Sequence, residues 1–357
     1  MVYFTIALLL FAASHLAEPS LVARKRLYYF ASIALFAFVA FRYEVGCDWE
    51  GYAVQYDKAY LLGLTESLKD SEPGWWAMIY ALSASDIYFP WINVITAAIF
   101  FFGVHSLARR QPNPAFFMAL LFPVLIINMP MSGIRQGAAI GIMCYAVTCL
   151  MAGRWKRYVF MVAVAASLHN SALVFVILAP LGIKRLTPTA RIVTMGLLSV
   201  PAVSLVVLGA AGQQAIDRYV DTGYDANGAV YRLAMLAVSG IFFFLLLRRQ
   251  WREEYPGDYP LAVYGSGALI GLVLILPLSS VIADRLGYYL IPIQAMIFAR
   301  TAHLEGFRPG RVLAPVISLG FLAFLYVWTS TSNNFEICYV PYQNWLYEEP
   351  TYSRGLR

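Results

Sequence analysis

Long apolar runs, separated by short polar stretches, set the pattern of this 357-residue chain. Runs that stay apolar around every turn, without the alternation of a barrel strand, predict helices immersed in lipid. Twelve are placed at Met1–Ala17, Leu27–Phe41, Tyr88–Leu107, Pro114–Met129, Ile134–Ala152, Tyr158–Leu168, Ser171–Ile183, Ile192–Ala211, Ala229–Leu247, Leu261–Ile282, Leu286–Ala299 and Val312–Thr329. Residues 42–73 and 212–228 predict polar loops, and 330–357 a polar tail. Gly74–Ser85, with Trp75 and Trp76, predicts a short half-inserted helix at the membrane interface. The expected architecture is all-α: one polytopic integral membrane domain over 1–357 with about 12 transmembrane helices.

Composition agrees with lipid as the main solvent. Hydrophobic residues make up 60% and charged residues 13%, about half the charge of a soluble domain. Charge placement then orients the helices. The loops holding Arg24–Arg26, Arg109–Arg110, Arg154–Arg157, Lys184–Arg191, Arg248–Arg252 and Arg300–Arg311 carry 17 of the 26 Lys and Arg. The alternate loops carry 15 of the 20 acidic residues. By the positive-inside rule the basic loops are cytoplasmic, and both termini are expected in the periplasm. The first run has no basic segment before it, so it reads as an uncleaved helix rather than a signal peptide. The net charge of +6 is then a topology signal, and nucleic acid is not an expected partner. The four cysteines form no CxxC pair and no zinc spacing, so no metal is expected. Cys47 and Cys338 both fall on the outer side, where a disulfide or two free thiols are equally open.

The polar residues at the outer helix ends carry the candidate chemistry. They are Arg42, Glu44 and Asp48; Glu72; Arg135 and Gln136; His169 and Asn170; Arg218; Asp284 and Arg285; and Tyr342. A lone arginine at a helix end more often pairs with a carboxylate or anchors in headgroups. Several facing one compartment would make an anion site, because guanidinium forks match phosphate oxygens. Gly133, Gly137 and Gly141 form GxxxG steps that would let a neighbouring helix approach the turn of Arg135. Asp48 and His169 are the candidate general bases; a turn-capping role for His169 is an even alternative. Most of the 24 Tyr and 8 Trp mark membrane interfaces. The outer group Trp49, Tyr52, Tyr56, Tyr288, Tyr289 and Tyr342 would also suit stacking on sugar rings.

The ordered set Arg42-x3-Gly46-x-Asp48-x3-Tyr52, Glu72-Pro73-Gly74, Arg135-Gln136-x2-Ala139, His169-x-Ser171, Arg285-x2-Tyr288-Tyr289 and Pro341-Tyr342 resembles the EpsG family of Wzy-type bacterial polysaccharide polymerases. Cys47 and Trp49 depart from the residues usual there. The resemblance implies an inner-membrane glycosyltransferase acting on its periplasmic face without metal, nucleotide sugar or other cofactor. It would transfer a growing glycan from undecaprenyl diphosphate to the non-reducing end of the next lipid-linked repeat unit. Inversion at the anomeric carbon is expected, and a polysaccharide copolymerase is an open partner. Within that chemistry Arg135 and Arg285, helped by Arg42 or Arg218, would hold the diphosphate. Gln136, Glu72, Tyr288, Tyr289 and Tyr342 would line the substrate site, and Asp48 or His169 would activate the acceptor hydroxyl.

The main rivals are a lipid-linked oligosaccharide flippase or transporter and an O-antigen ligase. A transporter predicts polar residues at mid-bilayer and two similar halves. Here the polar residues sit at outer ends, and no repeat is evident.

Overall fold

A computed structural model describes residues 1–15, 21–69, 72–208, 228–305, 307 and 309–347. Among them the elements are helices apart from one two-residue strand pair. In chain order the helices are α1 (Val2–His15), α2 (Leu21–Ala40), α3 (Trp49–Ser67), α4 (Pro73–Ala84), α5 (Trp91–Ala108) and α6 (Pro114–Leu121). The chain continues with α7 (Ile134–Met151), α8 (Trp155–Leu168), a 3₁₀ helix (Asn170–Gly182) and α9 (Pro188–Leu208). It ends with α10 (Ala229–Phe242), α11 (Arg248–Glu254), α12 (Tyr259–Gly271), α13 (Ser280–Thr301), α14 (Gly310–Thr331) and α15 (Asn333–Tyr339).

Among the described residues, five helical stretches are long and apolar enough to cross a membrane: Trp91–Ala108, Ile134–Met151, Ala229–Glu254, Ser280–Thr301 and Val312–Thr331. Four more apolar helices are shorter, namely Val2–His15, Pro114–Ile126, Asn170–Gly182 and Tyr259–Leu274. The chain is thus an all-helical polytopic membrane protein.

Two of the spanning helices form its centre. α5 and α7 cross where both lack side chains: a Cβ on Gly103 would lie 1.7 Å from the Gly141 carbonyl oxygen, and one on Gly141 would lie 2.4 Å from Phe100 Cα. Any larger residue there forces the backbones apart. Of the GxxxG glycines, Gly141 serves this crossing, whereas Gly137 packs against the Met129–Pro130 backbone.

Several sequence expectations need correction. Residues 42–73 are not a plain loop. They contain β1 (Arg42–Tyr43) and the 19-residue α3, kinked at Gly63, where φ is 75°. Two glycines and scattered charges hid that helix, yet Tyr52, Ala53, Tyr56 and Ala59 form a buried stripe against α4. The predicted helix 261–282 ends early, at Gly271 with a 3₁₀ turn to Leu274. α13 then starts at Ser280, whose predecessor Ser279 accepts the Ile282 N–H at 3.3 Å. Asp284 and Arg285 therefore lie on the first turns of a helix, not in the turn before one. Most of the loop 212–228 lies outside the described residues.

The tail is also structured in its described part, up to residue 347. Gln343–Asn344 (β2) pairs antiparallel with β1, in the register Arg42 opposite Asn344. Cys47 is disulfide-bonded to Cys338, and the Gly46 N–H donates to the Cys338 carbonyl at 2.7 Å. Gly46 has φ 108°, and a Cβ there would lie 2.0 Å from the Met131 carbonyl oxygen, so no other residue fits. Tyr342 stacks on Phe38 at 4.4 Å and donates its hydroxyl to the Phe38 carbonyl.

A different knot closes the end of the molecule where the basic loops gather. Arg300, 2% exposed, donates to Gln111 and Asp258 at 2.9 Å each and lies over Tyr255 and Trp251.

Candidate functional site

Glu72-Pro73-Gly74 explains how a histidine and a carboxylate 97 residues apart come together. Pro73 opens α4 at a position where its missing N–H costs nothing. Gly74 lets α8 pass close, since a Cβ there would lie 2.3 Å from Ser167 Oγ. α8 ends at Leu168, and His169 turns the chain with extended φ/ψ of −155° and 113° before the 3₁₀ helix begins. Its side chain lands on Glu72.

The Glu72 carboxylate is then saturated. Oε1 accepts from His169 Nδ1 at 2.7 Å and from the Asn170 N–H at 3.1 Å, and Oε2 accepts from Arg135 at 2.6 Å. Burial alone would raise its pKa, but the hydrogen bonds and charges of His169, Arg135 and Asn170 outweigh burial and hold it at about 2. Burial lowers the His169 pKa and Arg285 and Arg135 add to that, against the opposing pull of Glu72. The pair is therefore an ionised carboxylate and a neutral imidazole. A carboxylate only accepts, so the imidazole proton sits on Nδ1 and the lone pair on Nε2. Nε2 has no hydrogen bond among the described residues, and His169 lines a cavity.

That cavity has a volume of about 250 Å³. Enclosed pockets for drug-sized ligands span about 300–1,000 Å³, so this one is small by comparison. Three arginines line it: Arg135, Arg232 and Arg285. Arg135 lies 5.8 Å from the ring centres of both Tyr52 and Trp75, besides its bond to Glu72. Arg285 is half-buried, and Gln136 fixes its backbone by donating to the Arg285 carbonyl at 2.6 Å. Arg232 is held bidentately by Asp284, Nε to Oδ1 at 2.8 Å and a terminal nitrogen to Oδ2 at 2.7 Å. Asp48 is exposed at the cavity wall, and its carboxylate makes no hydrogen bond to its own helix α3. The arrangement can hold an anion between arginines beside a neutral, oriented imidazole.

The candidates from sequence thus divide. Asp48, Arg135, Gln136, His169, Arg285 and Tyr288 line one cavity. Arg42 does not. It is 1% exposed, and its guanidinium donates to the carbonyls of Val45, Met131 and Val39 and to Asn93 Oδ1, all at 2.7–3.0 Å. Its geometry is that of a clamp between α2, α5 and the Met131 turn rather than a phosphate ligand. Glu72 bonds His169 and Arg135 and is not among the residues that line the cavity. Tyr289 is buried against Phe175 and receives a hydrogen bond from Ser171, and Tyr342 packs on Phe38. Trp49 and Tyr56 pack on Phe89. Arg218 lies outside the described residues. Sequence reasoning missed Arg232, hidden inside an apolar run, and the aromatic residues Trp328, Phe335 and Tyr339, which also line the cavity. A bidentate partner for Asp284 was the one signal available for Arg232, and neighbouring Arg285 obscured it. No group of three His, Cys, Asp or Glu able to hold a metal occurs among the described residues.

The arginine-lined cavity and the carboxylate-backed histidine thus lie within an all-helical membrane protein. The EpsG family model matches residues 25–344, and the chain belongs to that family, whose members have polysaccharide-polymerase-related functions. No curated protein and no solved structure matches the chain.

Proposed function

We propose that this protein is a polysaccharide polymerase that transfers a growing glycan from undecaprenyl diphosphate to the non-reducing end of the next lipid-linked repeat unit. The observation that carries the reading is the Glu72–His169 contact of 2.7 Å at the edge of a cavity lined by three arginines. In the proposed step His169 Nε2 accepts the proton of the acceptor hydroxyl as its oxygen attacks the donor anomeric carbon. The bond from that carbon to the diphosphate oxygen breaks, and its electron pair leaves with the lipid diphosphate. Attack opposite the leaving group inverts the anomeric configuration. Arg285 and Arg135 meet the charge that develops on the diphosphate, where such donors contribute on the order of 10²–10³ in rate each. Glu72 keeps the imidazole in the Nδ1–H tautomer and stabilises the imidazolium formed.

His169 is a better base than Asp48 on this geometry, because among the described residues no group hydrogen-bonds the Asp48 carboxylate. The site faces the periplasm in this reading, with about 12 spans and both termini outside. The charge asymmetry of the loops supports that placement. So does the Cys47–Cys338 disulfide at the cavity wall, since disulfides persist in oxidising compartments. The inner membrane is the corresponding location. The test is polymerisation by the purified protein in liposomes with a defined undecaprenyl-diphosphate repeat unit. A ladder of lipid-linked multimers is expected; single repeat units only, from folded protein, would refute the function.

A further inference from the structure

The cavity carries a second chemistry that the transfer step leaves unused. Beside the arginines stand Trp328, near the end of α14, and Phe335 and Tyr339, one turn apart on α15. Phe335 and Tyr339 stack at 5.2 Å with 16° between their planes. Trp328 meets them in T-shaped contacts at 5.1 and 6.0 Å. The two stacked rings are each 3% exposed while Trp328 is half-buried, so the indole retains the most surface for a ligand.

Neutral polar groups share this wall. The Asn334 side chain is exposed and makes no hydrogen bond among the described residues. Asn128 donates its amide to the Val124 carbonyl at 2.8 Å, which leaves Oδ1 toward other donors. An indole and amides lining one cavity match a neutral pyranose: the C–H face of the ring lies on the aromatic surface, and amides exchange hydrogen bonds with hydroxyls. A diphosphate is better served by the arginines, and a polyprenyl tail would leave the amides unpaired. The wall is also preorganised, because β2 and the Cys47–Cys338 bond fasten α15 to the start of α3.

We propose that Trp328 and Asn334 form an acceptor-sugar subsite that binds the non-reducing terminal pyranose of the incoming repeat unit. The inference rests on the polymerase reading, and the test separates the two. A lipid-linked repeat whose accepting hydroxyl is methylated serves as donor at fixed concentration, and the lipid-free repeat oligosaccharide, hydrolysed from the host polysaccharide, serves as acceptor. Trp328→Ala is expected to raise the acceptor KM about 10-fold with kcat within about 2-fold, and Trp328→Phe to recover most of the loss. Asn334→Ala should raise the same KM severalfold without changing binding of the lipid-linked donor. Retention of the Cys47–Cys338 bond on non-reducing gels reports that α15 is seated. If Trp328→Ala loses that bond, Trp328→Phe and Asn334→Ala carry the test. Wild-type protein that polymerises, with the acceptor KM unchanged in the seated variants, overturns the subsite alone. Wild-type protein that makes no ladder overturns the polymerase reading and the subsite with it.

Discussion

Glu72→Gln removes one charge and almost no volume, and the contacts of Glu72 set the size of the response. A carboxyl held at about 2 against its ordinary 4.5 corresponds to about 3 kcal/mol of native-state stabilisation at neutral pH. The sign follows from the lowered pKa: the stabilisation is present above pH 4.5 and is lost as pH falls toward 2. In the variant one amide oxygen must replace two carboxylate oxygens. It can accept from Arg135 or from His169 and Asn170, while the NH₂ opposes whichever donor remains. With Arg135 always charged, the oxygen turns to Arg135 and the NH₂ meets His169 Nδ1, which favours the Nε2–H tautomer. The base then points its proton at the acceptor hydroxyl. Loss of general-base action costs about 10²–10⁴ in rate. Ladder formation by matched amounts of inserted protein should drop by that factor, with a melting midpoint lowered by a few degrees. The wild-type profile of kcat/KM should fall on the acid side below pH 6.5, where lowered His169 starts to protonate. Glu72 raises the His169 pKa, so in Glu72→Gln any residual activity should have its acid limb at still lower pH. Wild-type rates from inserted Glu72→Gln, or an acid limb moved upward, would refute the dyad.

Other substitutions separate chemistry from scaffold. Arg285→Lys keeps the charge but loses the planar fork, and its kcat should fall on the order of 10²–10³ in the polymerisation assay with normal protein levels. Arg42→Lys should act oppositely, lowering inserted protein and thermal stability by about 3 kcal/mol while activity per folded molecule persists, because Lys cannot serve four acceptors at once. Cysteines at Glu50 and Lys156, both exposed, should label from opposite sides of the membrane in sealed spheroplasts; labelling of both from outside would remove the periplasmic assignment.

Where one physical signal dominated, the sequence was readable. α5 and α7 fall within about three residues of their predicted ends because an uninterrupted apolar run meets Arg109–Arg110 or Arg154. α3 was not readable, since its buried face is tyrosine and alanine packed on α4 rather than a lipid-facing run. The site shows the same division. Motif order brought Arg135, Gln136, His169, Arg285 and Tyr288 into one list, and the fold brings them to one cavity. Nothing in sequence separates Arg42 from Arg285, because each is an arginine at an expected outer helix end. Four carbonyl and amide acceptors, from Val45, Met131, Val39 and Asn93, decide that Arg42 is a clamp. The His169–Glu72 pair joins residues 97 apart through a helix crossing at Gly74, and only the packed structure reveals it.

His169→Gln and Asp48→Asn, compared side by side in liposomes with the lipid-diphosphate repeat unit, test the central claim most directly. Both variants should insert and keep the Cys47–Cys338 bond. The account predicts that Asp48→Asn extends the repeat into a ladder and that His169→Gln leaves only single units. A full ladder from His169→Gln, with Asp48→Asn inactive, would contradict it and move the base to Asp48.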